Sequence, residues 1–99
     1  MATKFIEIIN NKKFTLVDFY ADWCGPCKLM KPILEELKSK LRDEITILKI
    51  DVDKNPQVSQ AYQIQGVPTL ILFGEGKVKW RKSGVVSTQE LQNVILKHS

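Results

Sequence analysis

Ala21-Asp22-Trp23-Cys24-Gly25-Pro26-Cys27-Lys28 holds both cysteines of this 99-residue chain. An apolar run, Phe14 to Tyr20, precedes it, and a segment of helical periodicity, Cys24 to Leu41, begins within it. A Cys-x-x-Cys at a strand-to-helix junction is first of all a redox motif. Cysteines at i and i+3 of a helix share a face about a turn apart, within a disulfide's Cα window. The ring they close is short. Chain-entropy bookkeeping gives it about 2 kcal/mol, against about 3 for a fifteen-residue loop, so the bond is of the easily reduced kind. Zinc wants four ligands, and His98 is the one further soft ligand, so no metal is expected.

Upstream, residues 2 to 11 read as a helix with Phe5, Ile8 and Ile9 on one face. Asn10 to Lys13 is a turn, and 14–20 is a strand by its β-branched and aromatic content. It is nearly all apolar, as a strand covered on both faces should be. Asp18 interrupts it, on the face opposite Val17 and Phe19, and so points beneath the helix that follows. Burial disfavours the charged form of such a carboxyl.

Downstream, Met30, Ile33, Leu34, Leu37 and Leu41 form the apolar stripe of helix 24–41. Glu35 with Lys38, and Glu36 with Lys40, are placed to pair on its wet side. Pro32 predicts a kink. Residues 45–51 are a second strand, and strand-helix-strand of this length implies a right-handed parallel crossover. Asn55-Pro56 starts a short helix, cap then first position, with Val58, Ala61 and Tyr62 inward. Gly66-Val67-Pro68-Thr69 leads into a strand at 70–73. Gly74-Glu75-Gly76 turns into 77–82, where Val78 and Trp80 alternate with charged residues, one face wet. Ser87-Thr88-Gln89-Glu90 is a capping box that opens a last helix with Leu91, Val94 and Ile95 inward.

The totals bound the rest. Residues 1–99 suffice for one domain with a single core. The chain is 43% hydrophobic and 26% charged, with a net charge of +4. No long run of like charge or base-stacking platform points to nucleic acid. No apolar run is long enough to span a bilayer, and none reads as a leader, so a cytoplasmic location is expected. Two cysteines in a reducing compartment are a poor structural staple.

The order αβαβαββα around Trp-Cys-Gly-Pro-Cys resembles the thioredoxin family. Val17-Asp18-Phe19-Tyr20-Ala21-Asp22-Trp23-Cys24-Gly25-Pro26-Cys27-Lys28 is similar to its active-site signature almost letter for letter. Pro32 stands at the family's helix kink, Gly66-Val67-Pro68-Thr69 at its cis-proline loop and Gly84 near its late glycine. The resemblance covers essentially the whole chain. It implies an α/β thioredoxin fold with a mixed sheet flanked by four helices. Only four residues precede Phe5, so the family's first edge strand is expected to be missing. That leaves four strands, ordered 45–51, 14–20, 69–73, 77–82. Tyr20 stands where many members carry a second tryptophan. Trp80 is not a family hallmark and reads as a core aromatic.

The chemistry expected is dithiol-disulfide exchange. Cys24, at the helix N-terminus, is the nucleophile, its thiolate stabilised there by free N–H groups and the helix dipole. Cys27, a turn inside and expected to be the more buried, resolves. Gly25 and Pro26 bridge them; Pro26 stiffens the turn and, by analogy with the family, biases the pair toward a reductant. The resemblance further implies that Asp18 relays the proton of Cys27 and that Lys49 pairs with Asp18, an exposed strand lysine being the lesser alternative. Pro68 is expected to be cis, and the backbone of Val67 to pair with an extended substrate. Trp23, Gly66, Val67, Pro68 and Gly84 form the docking patch. The expectation is a monomeric protein-disulfide reductase without a cofactor, acting on disulfide-containing proteins and recharged by a thioredoxin reductase, binding neither nucleic acid nor membrane. Two alternatives stand beside it: a thioredoxin-fold binding subunit that uses the patch and not the redox cycle, and an oxidant or isomerase of an export compartment.

Overall fold

Five β-branched or aromatic side chains among seven residues make Phe14–Tyr20 the central strand, β1, with its five middle residues buried. The computed structural model describes residues 3–99. Its elements run α1 (Thr3–Ile9), β1, a 3₁₀ turn (Pro26–Leu29), α2 (Met30–Leu41), a 3₁₀ turn (Arg42–Glu44), β2 (Ile45–Asp51), α3 (Pro56–Ala61), β3 (Thr69–Gly74), β4 (Lys77–Ser83) and α4 (Thr88–His98). The sheet order is β2-β1-β3-β4. β2 lies parallel to β1, while β3 and β4 are antiparallel to their neighbours. This is the mixed sheet with four helices, in the strand order expected. Met1 and Ala2 lie outside the described residues; among residues 3–99 the sheet has four strands, no further edge strand is present, and β2 is an edge.

Period-two alternation along β1 divides the core. Leu16 faces Met30, Leu34 and Leu37 of α2 and Leu91 and Ile95 of α4. Val17 and Phe19 face Phe5 and Ile9 of α1 and Val58 of α3. Phe5, Tyr62 and Phe73 meet there edge-on or tilted, with ring centroids 5.2 to 5.9 Å apart. Asp18 falls on the α2 side, beneath the Cys-x-x-Cys segment, as its place in the alternation predicts.

Several local expectations are corrected. The helix drawn from Cys24 begins with the 3₁₀ turn at Pro26 and becomes α-helical only at Met30. Pro32 is the third residue of α2. Its missing N–H there removes little, and the change from 3₁₀ to α-helical bonding lies just upstream of it. The ion pairs expected on α2 are absent among the described residues: Lys38 donates to the Ile45 carbonyl (2.6 Å), and Glu36 accepts from Thr88 Oγ1 (2.7 Å). Tertiary partners win over weak exposed pairs.

Ala61 is exposed and Ser59 is buried in its place, because Ser59 Oγ bonds back to the Asn55 carbonyl (2.9 Å). Asn55 occupies the cap position of α3 without capping through its side chain, whose Nδ2 donates to the Asp51 carbonyl instead. A register shift in the β3–β4 pairing places Trp80 opposite Leu72 but Val78 opposite Phe73. The two therefore stand on opposite faces; Trp80 packs on the core and Val78 is 47% exposed. Of the capping box, Ser87 Oγ accepts from Glu90 N–H (3.1 Å), while the Glu90 carboxylate pairs with Lys82.

Candidate active site

The chain leaves β1 at Tyr20 and turns at once. Cys24 N–H donates to the Ala21 carbonyl (3.1 Å), which folds Asp22 and Trp23 outward and brings Cys24 back over the end of the strand. Cys24 and Cys27 form a disulfide with a Cα separation of 5.4 Å. Cys27 N–H points at Cys24 Sγ from 3.2 Å, a donor that favours a thiolate at that sulfur once the bond is reduced.

Cys24 is thus held by the turn that begins the 3₁₀ segment, with Gly25 and Pro26 exposed between the two cysteines. The expected difference in burial is corrected: Cys24 is 5% and Cys27 7% exposed. Both are tucked against Ala21, with Val52 and Val67 packed around them. What separates them is their surroundings.

Cys24 Sγ faces the Val67 carbonyl oxygen at 3.6 Å. The Val67–Pro68 peptide is cis, as expected. Gly84 N–H donates to the Pro68 carbonyl (2.8 Å) and ties the loop to the end of β4. Gly84 has φ +104°, in the region that favours glycine, so the chain can leave β4 there and pass close to the loop. Thr69 Oγ1 donates to the Gly66 carbonyl and meets Ser83 Oγ at 3.0 Å.

Trp23 is 72% exposed, yet its ring is fixed: Nε1 donates to Asp53 Oδ2 (2.8 Å). Asp53 is in turn set by the buried Asp51, whose Oδ1 accepts the N–H groups of Asp53 and Lys54.

Cys27 opens toward a different region. A cavity of about 190 Å³ is lined by Cys27, Asp18, Tyr20, Asp22, Lys28, Lys31 and Lys49, and is roomy enough for water. Asp18 is fully buried, and neither carboxyl oxygen has a hydrogen-bond partner among the described residues. Burial pushes its pKa up from 3.8 to about 6, with Lys49 pulling the other way. Lys49 is the register partner of Asp18 across the strand pair, but its side chain is exposed and forms no ion pair among the described residues. Its Nζ lies 5.7 Å from the Tyr20 ring centroid. It therefore acts on Asp18 through space across the cavity.

Every residue singled out in the sequence lies near this end of the sheet: Asp18, Trp23, Cys24, Gly25, Pro26, Cys27, Lys49, Gly66, Val67, Pro68 and Gly84. Others were missed. Asp51 and Asp53 belong to an Asp-Val-Asp-Lys-Asn turn whose composition could have marked them. Lys31 lines the cavity, as does Tyr20, which the sequence marks only for its place in the signature. Val85 is 42% exposed beside Gly84 and widens the patch.

Known proteins bear on this geometry. The thioredoxin family model matches residues 1–97. The chain is 36% identical over 98 residues to Thioredoxin 1 of Chlorobaculum tepidum, covering 98% of this chain and 97% of that protein. It is 45% identical over 76 residues to the bifunctional thioredoxin reductase/thioredoxin of Mycobacterium leprae, covering 77% of this chain and 17% of that protein. The solved structure of a single-site mutant thioredoxin from Halobacterium salinarum NRC-1 superposes with a TM-score of 0.88 at 35% identity, over 98% of this chain and 84% of that structure.

Proposed function

The chain belongs to the thioredoxin family and is a thiol-disulfide oxidoreductase, and from that premise we propose the roles its residues take in reducing protein disulfides. The observation that carries the proposal is the asymmetric setting of a closed Cys24–Cys27 pair. One sulfur faces the Val67–Pro68 loop, and the other borders the cavity above Asp18.

In the reduced protein, the Cys24 thiolate attacks one sulfur of a substrate disulfide. That bond breaks, and the departing substrate sulfur leaves as a thiolate and takes up a proton. Cys24 is now joined to the substrate. The thiol of Cys27 then gives its proton to the Asp18 carboxylate through the cavity, and its thiolate attacks Cys24 Sγ. The second substrate sulfur leaves and is protonated, and the Cys24–Cys27 disulfide closes. Two electrons have passed to the substrate.

A thioredoxin reductase returns them; a relative that joins the two activities in one chain supports this partner. Trp23, Gly66, Val67, Pro68 and Gly84, with Val85, dock the segment around the substrate disulfide, and the Val67 backbone accepts it as an added strand. Gly25 and Pro26 hold the geometry of the bridge. Lys49 tunes Asp18 across the cavity.

Residues 1–99 work as one domain and one monomer, in electron transfer within the cytoplasm, without a cofactor and without binding nucleic acid. Among the described residues no helix is long and apolar enough to cross a membrane. A closed, redox-competent pair speaks against a purely binding role, and the Gly25-Pro26 bridge against an oxidant. Reduction of insulin disulfides in the presence of dithiothreitol tests the proposal. Wild-type protein accelerates precipitation of the insulin chains, and Cys24→Ser does not; a Cys24→Ser variant as fast as wild type overturns the assignment.

A further inference from the structure

The cavity beside Cys27 does not end at the active site. Lys31 and Lys49 are also walls of a second, larger hollow of about 400 Å³ between α2 and β2, floored by Leu34, Thr46 and Ile47. The two form one trough leading away from the disulfide. β2 is the edge of the sheet, and among the described residues no strand pairs with its outer side. The trough carries a small net positive charge, four lysines against three acids. Lys28, Lys31, Lys38 and Lys49 line it against the exposed carboxylates Asp22 and Glu35, with Asp18 buried beneath. Lys38 is committed to the Ile45 carbonyl. Lys28, Lys31 and Lys49 make no ion pair among the described residues.

We propose that the α2–β2 trough is a specificity site that takes an acidic segment flanking the substrate disulfide. The inference rests on the reductase reading and extends it, since the docking patch lies on the Cys24 side and the trough on the Cys27 side. The chemistry is complementary at three levels. Exposed, unpaired ammonium groups attract carboxylates over a distance of about a Debye length and raise the rate of encounter. The apolar floor of Leu34 and Ile47 rewards a side chain or stem laid on it. The open edge of β2 offers backbone partners to an extended strand. Lys31 stands at the junction of the two hollows and is the residue on which the preference turns.

The test uses the pre-reduced 99-residue protein and three short peptides, each with one internal disulfide, flanked by glutamates, by lysines or by glutamines. The glutamate peptide is reduced roughly three- to tenfold faster than the lysine peptide at low salt, and the two converge at high salt. Lys31→Glu removes most of this preference, and Lys31→Gln gives an intermediate value. Lys77→Glu makes the same change in net charge at the far end of the sheet, beside the Gly74 hairpin, and leaves the preference in place. Equal rates for the two charged peptides overturn the proposal. So does a preference that survives Lys31→Glu, or one that Lys77→Glu removes equally. Reduction of the glutamine peptide separates the levels: if it proceeds while the charge preference is missing, only the trough assignment fails, and if wild-type protein does not reduce it at all, the reductase reading falls and the trough falls with it.

Discussion

Asp18 and Lys49 are register partners across the parallel β1–β2 pair, yet they are not an ion pair: the carboxyl is fully buried without a hydrogen-bond partner among the described residues, and the ammonium lies beside the Tyr20 ring. The acid is therefore held in an unfavourable charged state at neutral pH, with only a distant cation as partial compensation. Such a carboxyl is suited to accept a proton from Cys27 and give it up again.

The first prediction concerns stability. Asp18 titrates at about 6 in the folded chain against 3.8 otherwise. Between those values the folded state keeps a proton that the unfolded state has released. Stability from this group is thus highest below 3.8, falls as pH rises through the window, and is level above about 6. The gap corresponds to about 3 kcal/mol at ~1.4 kcal/mol per pH unit. Asp18→Asn removes the ionisation cost, and should be more stable than wild type by about 1–3 kcal/mol at about pH 7, the difference vanishing below about pH 4. Urea unfolding at the two pH values checks this.

The second isolates Lys49. Its positive charge is the influence that lowers the Asp18 pKa. Lys49→Met should raise the Asp18 midpoint above its present value, read by carbon-detected NMR of the carboxyl through a pH titration. An unchanged or lower midpoint contradicts the through-space role.

How far the sequence foretold this site depends on the kind of feature. The strands, their order and the side chosen by Asp18 follow from period two in Phe14–Tyr20 and the resemblance around Trp-Cys-Gly-Pro-Cys. What escaped was decided by partners distant in the chain. Val78 turned out because of a register shift beside Leu72 and Phe73, which alternation alone does not encode. Glu36 is drawn to Thr88, 52 residues away, in place of its helical neighbour. Trp23 is oriented by Asp53, 30 residues on, through a turn that Asp51 builds. Cys24 and Cys27 are almost equally buried because the chain enters a 3₁₀ turn before α2, so helical spacing did not rank them.

The third prediction concerns the loop that carries Pro68. Arg81 of β4 donates to the Tyr62 carbonyl and, at 2.9 Å, to the Gln63 carbonyl, closing the end of α3 from which that loop departs. Arg81→Ala should cost about 1 kcal/mol in unfolding free energy, a modest figure because the contact is exposed. It should also raise KM for protein disulfides more than it lowers kcat.

The fourth concerns Ser87. Its side chain caps α4 at Glu90 N–H, so Ser87→Ala should lose about 1 kcal/mol in chemical denaturation, while Ser87→Asp loses little.

The central claim is the order of attack, Cys24 first and Cys27 second. Pre-reduced Cys27→Ser mixed with a disulfide-containing protein, quenched and examined by mass spectrometry, tests it most directly. The account predicts a stable mixed disulfide through Cys24, and no such accumulation with wild type, where Cys27 releases the substrate. A Cys27→Ser protein that forms no adduct, or a Cys24→Ser protein that traps substrate through Cys27 equally well, would contradict it.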